Sequence, residues 1–257
     1  MSQYAERIVC MTEETTETLY ALGEDHRIVG ISGFTVRPPR ARKEKPKVAA
    51  FTSAKIDKIL ALEPDLVLGF SDLQADIAAE LVRAGIAVHV FNQRSVAGIL
   101  RMVRTLGGLV GCEAKAAAYA DELERNVDNV RAAAAHRPKR PRVYFEEWDD
   151  PPISGIRWVS ELIDIAGGDD CFPELARESL AKKRIIADPL EIVRRDPDII
   201  IGSWCGKKFR PERVAERPGW EAVTAVTTNQ LFEIKSPLIL QPGPAALTDG
   251  LSALAAI

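Results

Sequence analysis

An internal echo limits the folds open to this chain more than any other feature. Residues 59–69 read ILALEPDLVLG and residues 192–202 read IVRRDPDIIIG, one pattern displaced by 133 positions. Each copy holds a helical end, an acidic–Pro–Asp turn and a short apolar run closed by glycine. Proline lacks the N–H that would continue a helix and disfavours helical geometry in the residue before it. The runs 66–68 and 199–201 are continuously apolar, as buried parallel strands covered on both faces are. A second pair agrees: RIVCM at 7–11 and RVYFE at 142–146 lie 135 positions apart. Each precedes a helical segment closing on a glycine, Gly23 and Gly167, the residue best suited to a left-handed helix cap. Two echoes at nearly one displacement predict two similar α/β lobes.

Between the copies, Ala116, Ala120, Leu123, Val127, Val130 and Ala134 form an apolar stripe at helical spacing. The stripe predicts one helix over 113–136, roughly 35 Å long. The expected organisation is an N-terminal lobe over 1–111, a connecting backbone helix over 112–137 and a C-terminal lobe over 138–257, with a ligand cleft between the lobes. A single helix would permit modest hinge closure. Strands are expected over 8–11, 28–31, 66–68 and 88–91, then over 143–145, 199–201 and 231–234. Helices fill the gaps, for example 74–84, 96–107 and 247–256. Strands alternating with helices argue for parallel sheets.

Composition narrows the function classes. With 46% hydrophobic and 28% charged residues among 257, the chain can bury a core. A net charge of −3 and a pI near 5.8 give no electrostatic footprint for nucleic acid. The basic runs at 37–47 and 136–142 read as solvated loops. No apolar stretch reaches the length of a membrane span, so the protein is expected not to insert in a membrane. The N-terminal MSQYAER carries no basic segment followed by an apolar one. As written the chain is therefore expected in the cytoplasm, and a preceding leader would place it in the periplasm. Four separated cysteines without a CxxC pair suit reduced thiols.

In open parallel sheets, ligands bind beyond the carboxyl ends of the strands. That rule gathers Glu13, Phe34, Phe51, Phe70 and Gln93 from the first half, and Trp148, Trp204 and Lys207 from the second, with Trp158 close by. Aromatic faces suit a flat ligand and polar groups fix its orientation. Each aromatic taken singly is as well explained by packing, and Trp220 reads as an anchor. Arg37, Arg157 and Arg184 are candidates for holding carboxylates or phosphates, although each taken singly reads more readily as a surface or ion-paired arginine. Cys10 and Cys205 fall at strand ends, and Cys171 follows a Gly-Gly-Asp-Asp turn expected nearby. Together they form a candidate thiolate metal site, weighed against free cysteine as a small hydrophobe. His26, His89 and His136 form no ligand pair and read as structural. Segment 202–208, GSWCGKK, resembles a phosphate loop but has three residues between its glycines and no hydroxyl after the lysine. No GxSxG elbow occurs. The acids Glu146, Glu147, Asp149 and Asp150 read as a loop that is solvated or paired with a basic ligand.

Several segments taken together resemble one family. They are the run from Arg7 through TTETLYALG at 15–23, IVGIS at 28–32, Arg37-Pro-Pro, residues 56–69, VSELIDIAGG at 159–168, Arg217-Pro-Gly-Trp and Gln241-Pro-Gly-Pro. This combination resembles the helical-backbone substrate-binding proteins for cobalamin and ferric siderophores, the cobalamin branch more closely. The resemblance implies a two-lobed, non-catalytic binder of cobalamin or a related corrinoid, with no cofactor required and cobalamin or another metal-tetrapyrrole as the ligand. It also implies docking on an ABC permease through lobe-surface acids, for which Asp76 or Glu80 and Glu212 or Glu216 fall in comparable regions. Haem or a ferric siderophore is the alternative ligand. A different class, a metal- or cluster-handling protein or an enzyme acting on a tetrapyrrole, would use Cys10, Cys171 and Cys205.

Overall fold

The computed structural model describes residues 3–257, so Met1 and Ser2 lie outside the described residues. Two compact α/β units are present. One runs up to Gln93 and includes Ala97–Leu123; the other comprises Arg94–Val96 and Glu124–Ile257. The helix Glu113–Ala134 thus supplies its first half to one unit and its second half to the other, so the division falls within the expected connector. Arg94–Val96 joins the second unit, where the Val96 N–H donates to the Glu161 carboxylate at 2.7 Å. Along the long helix, Ala116, Ala120, Leu123 and Val127 are buried, as the stripe requires.

In the first unit the strands are β1 (Ile8–Cys10), β2 (Ile28–Ser32), β3 (Lys47–Ala49), β4 (Leu66–Phe70) and β5 (Val88–Phe91), in the order β3-β2-β1-β4-β5. All neighbours are parallel. Side chains alternate across the sheet, so Val9, Met11 and Val67 join Val48, Ile59 and Leu81 in one core, while Ile8, Cys10 and Leu68 are buried on the other face. The run 37–47 expected to be a solvated loop holds a short helix, Ala41–Glu44, and β3, absent from the expected strands, begins at its last residue. Three residues with one buried side chain leave too little periodicity to read.

The second unit holds β6 (Arg142–Asp149), β7 (Pro152–Ser154), β8 (Asp169–Asp170), β9 (Ile199–Gly202) and β10 (Leu231–Glu233). Its order is β10-β9-β6-β7, with β8 beside the start of β6. The sheet is parallel as expected except at its edge, where β7 runs antiparallel to β6. Two residues separate these strands, too few for the crossover that a parallel pair needs. The core gathers Tyr144, Phe172, Ile192, Ile200, Trp204, Phe209 and Trp220.

The echoes extend to individual bonds. Glu63 and Asp196, the acids before the two prolines, both take left-handed backbone, at φ 47° and 43°. The following Asp65 accepts the N–H groups of Glu6 and Arg7, and Asp198 accepts that of Arg142. Each turn therefore fixes the chain where it enters its central strand, and β1–β4 and β6–β9 pair in matching register.

The two echo glycines sit where another chain segment approaches closely. A Cβ at Gly202 would lie 1.9 Å from the ring of Phe209, and one at Gly69 would lie 2.9 Å from the Gln74 side chain. Gly202→Ala is expected to destabilise the second unit by about 1–3 kcal/mol through overpacking. Urea unfolding followed by tryptophan fluorescence measures this, because all four tryptophans lie in that unit. An unchanged midpoint would contradict the account.

Candidate functional site

In the first unit the chain passes from β1 to β2 on one side, while β4 flanks β1 on the other, so the end of β1 is a topological switch point. The helix Glu13–Ala21 starts there. Glu13 is largely buried, and burial raises its pKa. Glu14, the last residue of the strand-end segment 10–14, is 1% exposed. Its Oε1 accepts the Thr12 hydroxyl at 2.7 Å, yet burial pushes its pKa up to about 8. At neutral pH this carboxyl is therefore largely protonated. One turn on, Glu17 accepts the Arg37 Nε–H at 2.8 Å.

The remaining candidates of this unit line the same edge of the sheet. Phe34 follows β2 and is 56% exposed. Phe51 follows β3 and is half-buried, Phe70 ends β4 and is buried, and their ring centroids are 6.5 Å apart. Gln93 lies just past β5 and is buried. Sequence reasoning missed Gln74, which is fully buried. Its side-chain oxygen accepts the Phe70 N–H and its amide donates to the Phe51 carbonyl, each at 2.9 Å, which ties the two aromatic loops together. Its position at the start of a helix gave no signal of that role.

In the second unit the acids from Glu146 to Asp149 are part of strand β6, not of a loop. Each is matched by a cation of the chain itself. Glu146 is 0% exposed and accepts four bonds: two from Arg217 at 2.6 and 2.8 Å, and one each from Tyr144 and Trp204 at 2.9 Å. Burial, then the adjacent Glu146, pushes the Tyr144 hydroxyl well above its ordinary range. Arg184 binds Glu147 through two nitrogens, at 2.6 and 3.1 Å, and also donates to the Ser154 carbonyl. Lys207 pairs with Asp149, with its ammonium 4.2 Å from the Trp148 ring centre and 5.2 Å from that of Trp204. The Trp148 indole donates to the Asp150 carbonyl.

Three expectations are revised. Arg184 is 1% exposed and committed to Glu147, so it holds the strand rather than presenting a charge at the surface. Trp158 is 3% exposed and its indole N–H donates to the Ile239 carbonyl at 2.8 Å, which places it in the core. Cys171 sits beside Val143 at the amino end of β6, whereas Cys205 follows the carboxyl end of β9, so the sheet itself separates them. Cys10 is fully buried in the first unit, and burial raises both its thiol and that of Cys171 to about 12. Among the described residues no group of three metal-binding side chains is assembled. Arg157 pairs with Glu161 one turn along its helix, and Trp220 is buried.

Beyond the carboxyl ends of β9 and β10 lies an open, solvent-facing pocket of about 400 Å³. Trp204, Lys207, Lys208, Glu233, Lys235 and Ser236 contribute to its wall. Lys207 is legible in the sequence as a strand-end residue. Lys208, Glu233 and Lys235 are not, because their convergence depends on the lateral pairing of β9 with β10.

Comparison with known proteins bears on both units. The family model described as "Periplasmic binding protein" matches residues 8–238. A cobalamin-binding protein of Halobacterium salinarum is 25% identical over 254 residues, covering 93% of this chain and 66% of the relative's length. An uncharacterised ABC transporter substrate-binding lipoprotein of Bacillus subtilis is 25% identical over 97% of this chain and 78% of its own length. The periplasmic heme-binding protein RhuT of a Roseiflexus species superposes with a TM-score of 0.82 at 22% identity, over 98% of each chain, a likeness of fold. Among the described residues no helix is long and apolar enough to cross a membrane.

Proposed function

The chain belongs to the periplasmic binding protein family, and from that premise we propose that it binds cobalamin or a related corrinoid reversibly at the carboxyl ends of its strands, without catalysing a reaction on it. The observation that carries this reading is the similarity to a cobalamin-binding protein over 93% of the chain. The local chemistry supports it. Aromatic side chains at strand ends (Phe34, Phe51, Trp148) offer faces for a large planar ring system. Glu146, Glu147 and Asp149 are neutralised by Arg217, Arg184 and Lys207, an arrangement that holds geometry rather than presents an acid–base pair. Docking on an ABC permease belongs to the same proposal. Asp76 and Glu80, four residues apart on the helix Ala75–Arg83, are exposed, as are Glu212 and Glu216.

Calorimetric titration of the purified protein with cobalamin tests the reading, with saturable one-to-one binding expected at a Kd of about 1 µM or tighter. A second reading, haem, is favoured by the lysines around the second unit's pocket, since haem carries carboxylates that they would attract. Saturable binding of iron protoporphyrin with none of cobalamin would select it. Binding of neither would overturn both.

A further inference from the structure

We propose that the pocket beyond β9 and β10 is a binding subsite for an anionic group, a carboxylate or phosphate, held by Lys208 and Lys235 beside the indole of Trp204. Its volume of about 400 Å³ lies within the usual range for small-molecule sites. Its charge is lopsided, with three lysines against one carboxylate, Glu233. Glu233 is oriented by accepting the Phe209 N–H at 3.1 Å. Lys207 is engaged with Asp149 and stacked over Trp148 and Trp204. Lys208 and Lys235 differ: among the described residues neither is in an ion pair, although both face the same space. They come from segments following two adjacent parallel strands, in which Glu233 lies opposite Gly202. The sheet therefore brings Lys208 and Lys235 to one wall with Glu233 as the single carboxylate of the lining. Ammonium groups act as mobile point charges suited to carboxylate and phosphate alike, and the Ser236 hydroxyl adds a neutral donor to the wall.

The site as such does not depend on the proposed ligand, corrinoid or haem. Only the identity of the molecule that carries the anion rests on the proposed function. Inorganic pyrophosphate, titrated at low ionic strength with tryptophan fluorescence as readout, is the direct probe, because Trp204 forms part of the wall. Saturable binding is expected in the intact protein. The double variant Lys208→Gln/Lys235→Gln is expected to weaken it at least tenfold, with an unchanged far-ultraviolet spectrum. Lys58→Gln, an exposed lysine of the other unit, should leave it unaltered. No saturable signal in the intact protein, equal affinity in the double variant, or an equal loss in Lys58→Gln would overturn the proposal.

A competition arm identifies the source of the anion. Displacement of pyrophosphate by iron protoporphyrin, but not by its dimethyl ester, would assign the subsite to acidic arms of a larger ligand. Binding without competition would assign it to a free small anion. Failure of cobalamin and iron protoporphyrin to bind would overturn the proposed function while leaving the pyrophosphate result to decide this site.

Discussion

Arg217→Met is expected to destabilise the second unit by about 3–5 kcal/mol, since it leaves the Glu146 carboxylate buried without its counter-charge. The magnitude follows from asymmetry. A buried ion pair contributes little net stability compared with apolar residues of the same shape, but removing one partner exposes the full desolvation cost of the other. Here the stranded group would keep only the Tyr144 hydroxyl and the Trp204 indole as donors. The double variant Glu146→Gln/Arg217→Met should regain much of the loss, a coupling that a double-mutant cycle reads directly. Denaturant unfolding monitored by tryptophan fluorescence is well placed, because Trp204 and Trp220 pack in the affected core. A single-variant loss under about 0.5 kcal/mol would show that the pair is not the keystone of this core.

Glu14 carries the second large effect, and its sign is opposite to that of an ordinary ion-paired acid. Burial raises its folded-state pKa from 4.5 to about 8, with Glu13 and Glu17 adding smaller repulsions. The folded unit therefore keeps a proton that the unfolded chain releases above about pH 4.5. The stability contributed by the neutral form is complete below that pH and is lost progressively as pH rises toward 8. Each pH unit in this window removes up to about 1.4 kcal/mol, a total on the order of several kcal/mol. Glu14→Gln removes the titration while keeping an oxygen for the Thr12 hydroxyl. The variant should melt above the parent at pH 8 and close to it at pH 4.5. Calorimetry suits this test, since the first unit contains no tryptophan. Parallel pH profiles for the two proteins would rule Glu14 out as the source.

Much of the fold was legible because its determinants are local. An acid–Pro–Asp turn ending a helix, an apolar run and a closing glycine are interpretable within eleven residues, and each occurs twice. The long helix announced itself through the spacing of Ala116 to Ala134. The candidate site was legible only in outline. Strand-end residues such as Phe34, Phe51, Trp148 and Lys207 could be found by rule, whereas the roles of Trp158 and Arg184 could not. A tryptophan or arginine near a strand end looks the same in sequence whether it faces solvent or its own protein. The alternation of Tyr144, Glu146 and Trp148 was a weak signal that the acids belong to a strand. It was masked by four acids within five positions.

Sequence alone determined the α/β class and the repeated strand–helix pattern, because backbone preferences and hydrophobic period act between near neighbours; the family rested on resemblance of whole segments. Tertiary structure decided which charges are spent and which remain available. Glu146 finds Arg217 across 71 positions, Arg184 finds Glu147 across 37, and Lys208 and Lys235 line one pocket only because β9 lies beside β10. Electrostatic partnership depends on distance in space and on burial, and neither is written in the spacing of residues along the chain.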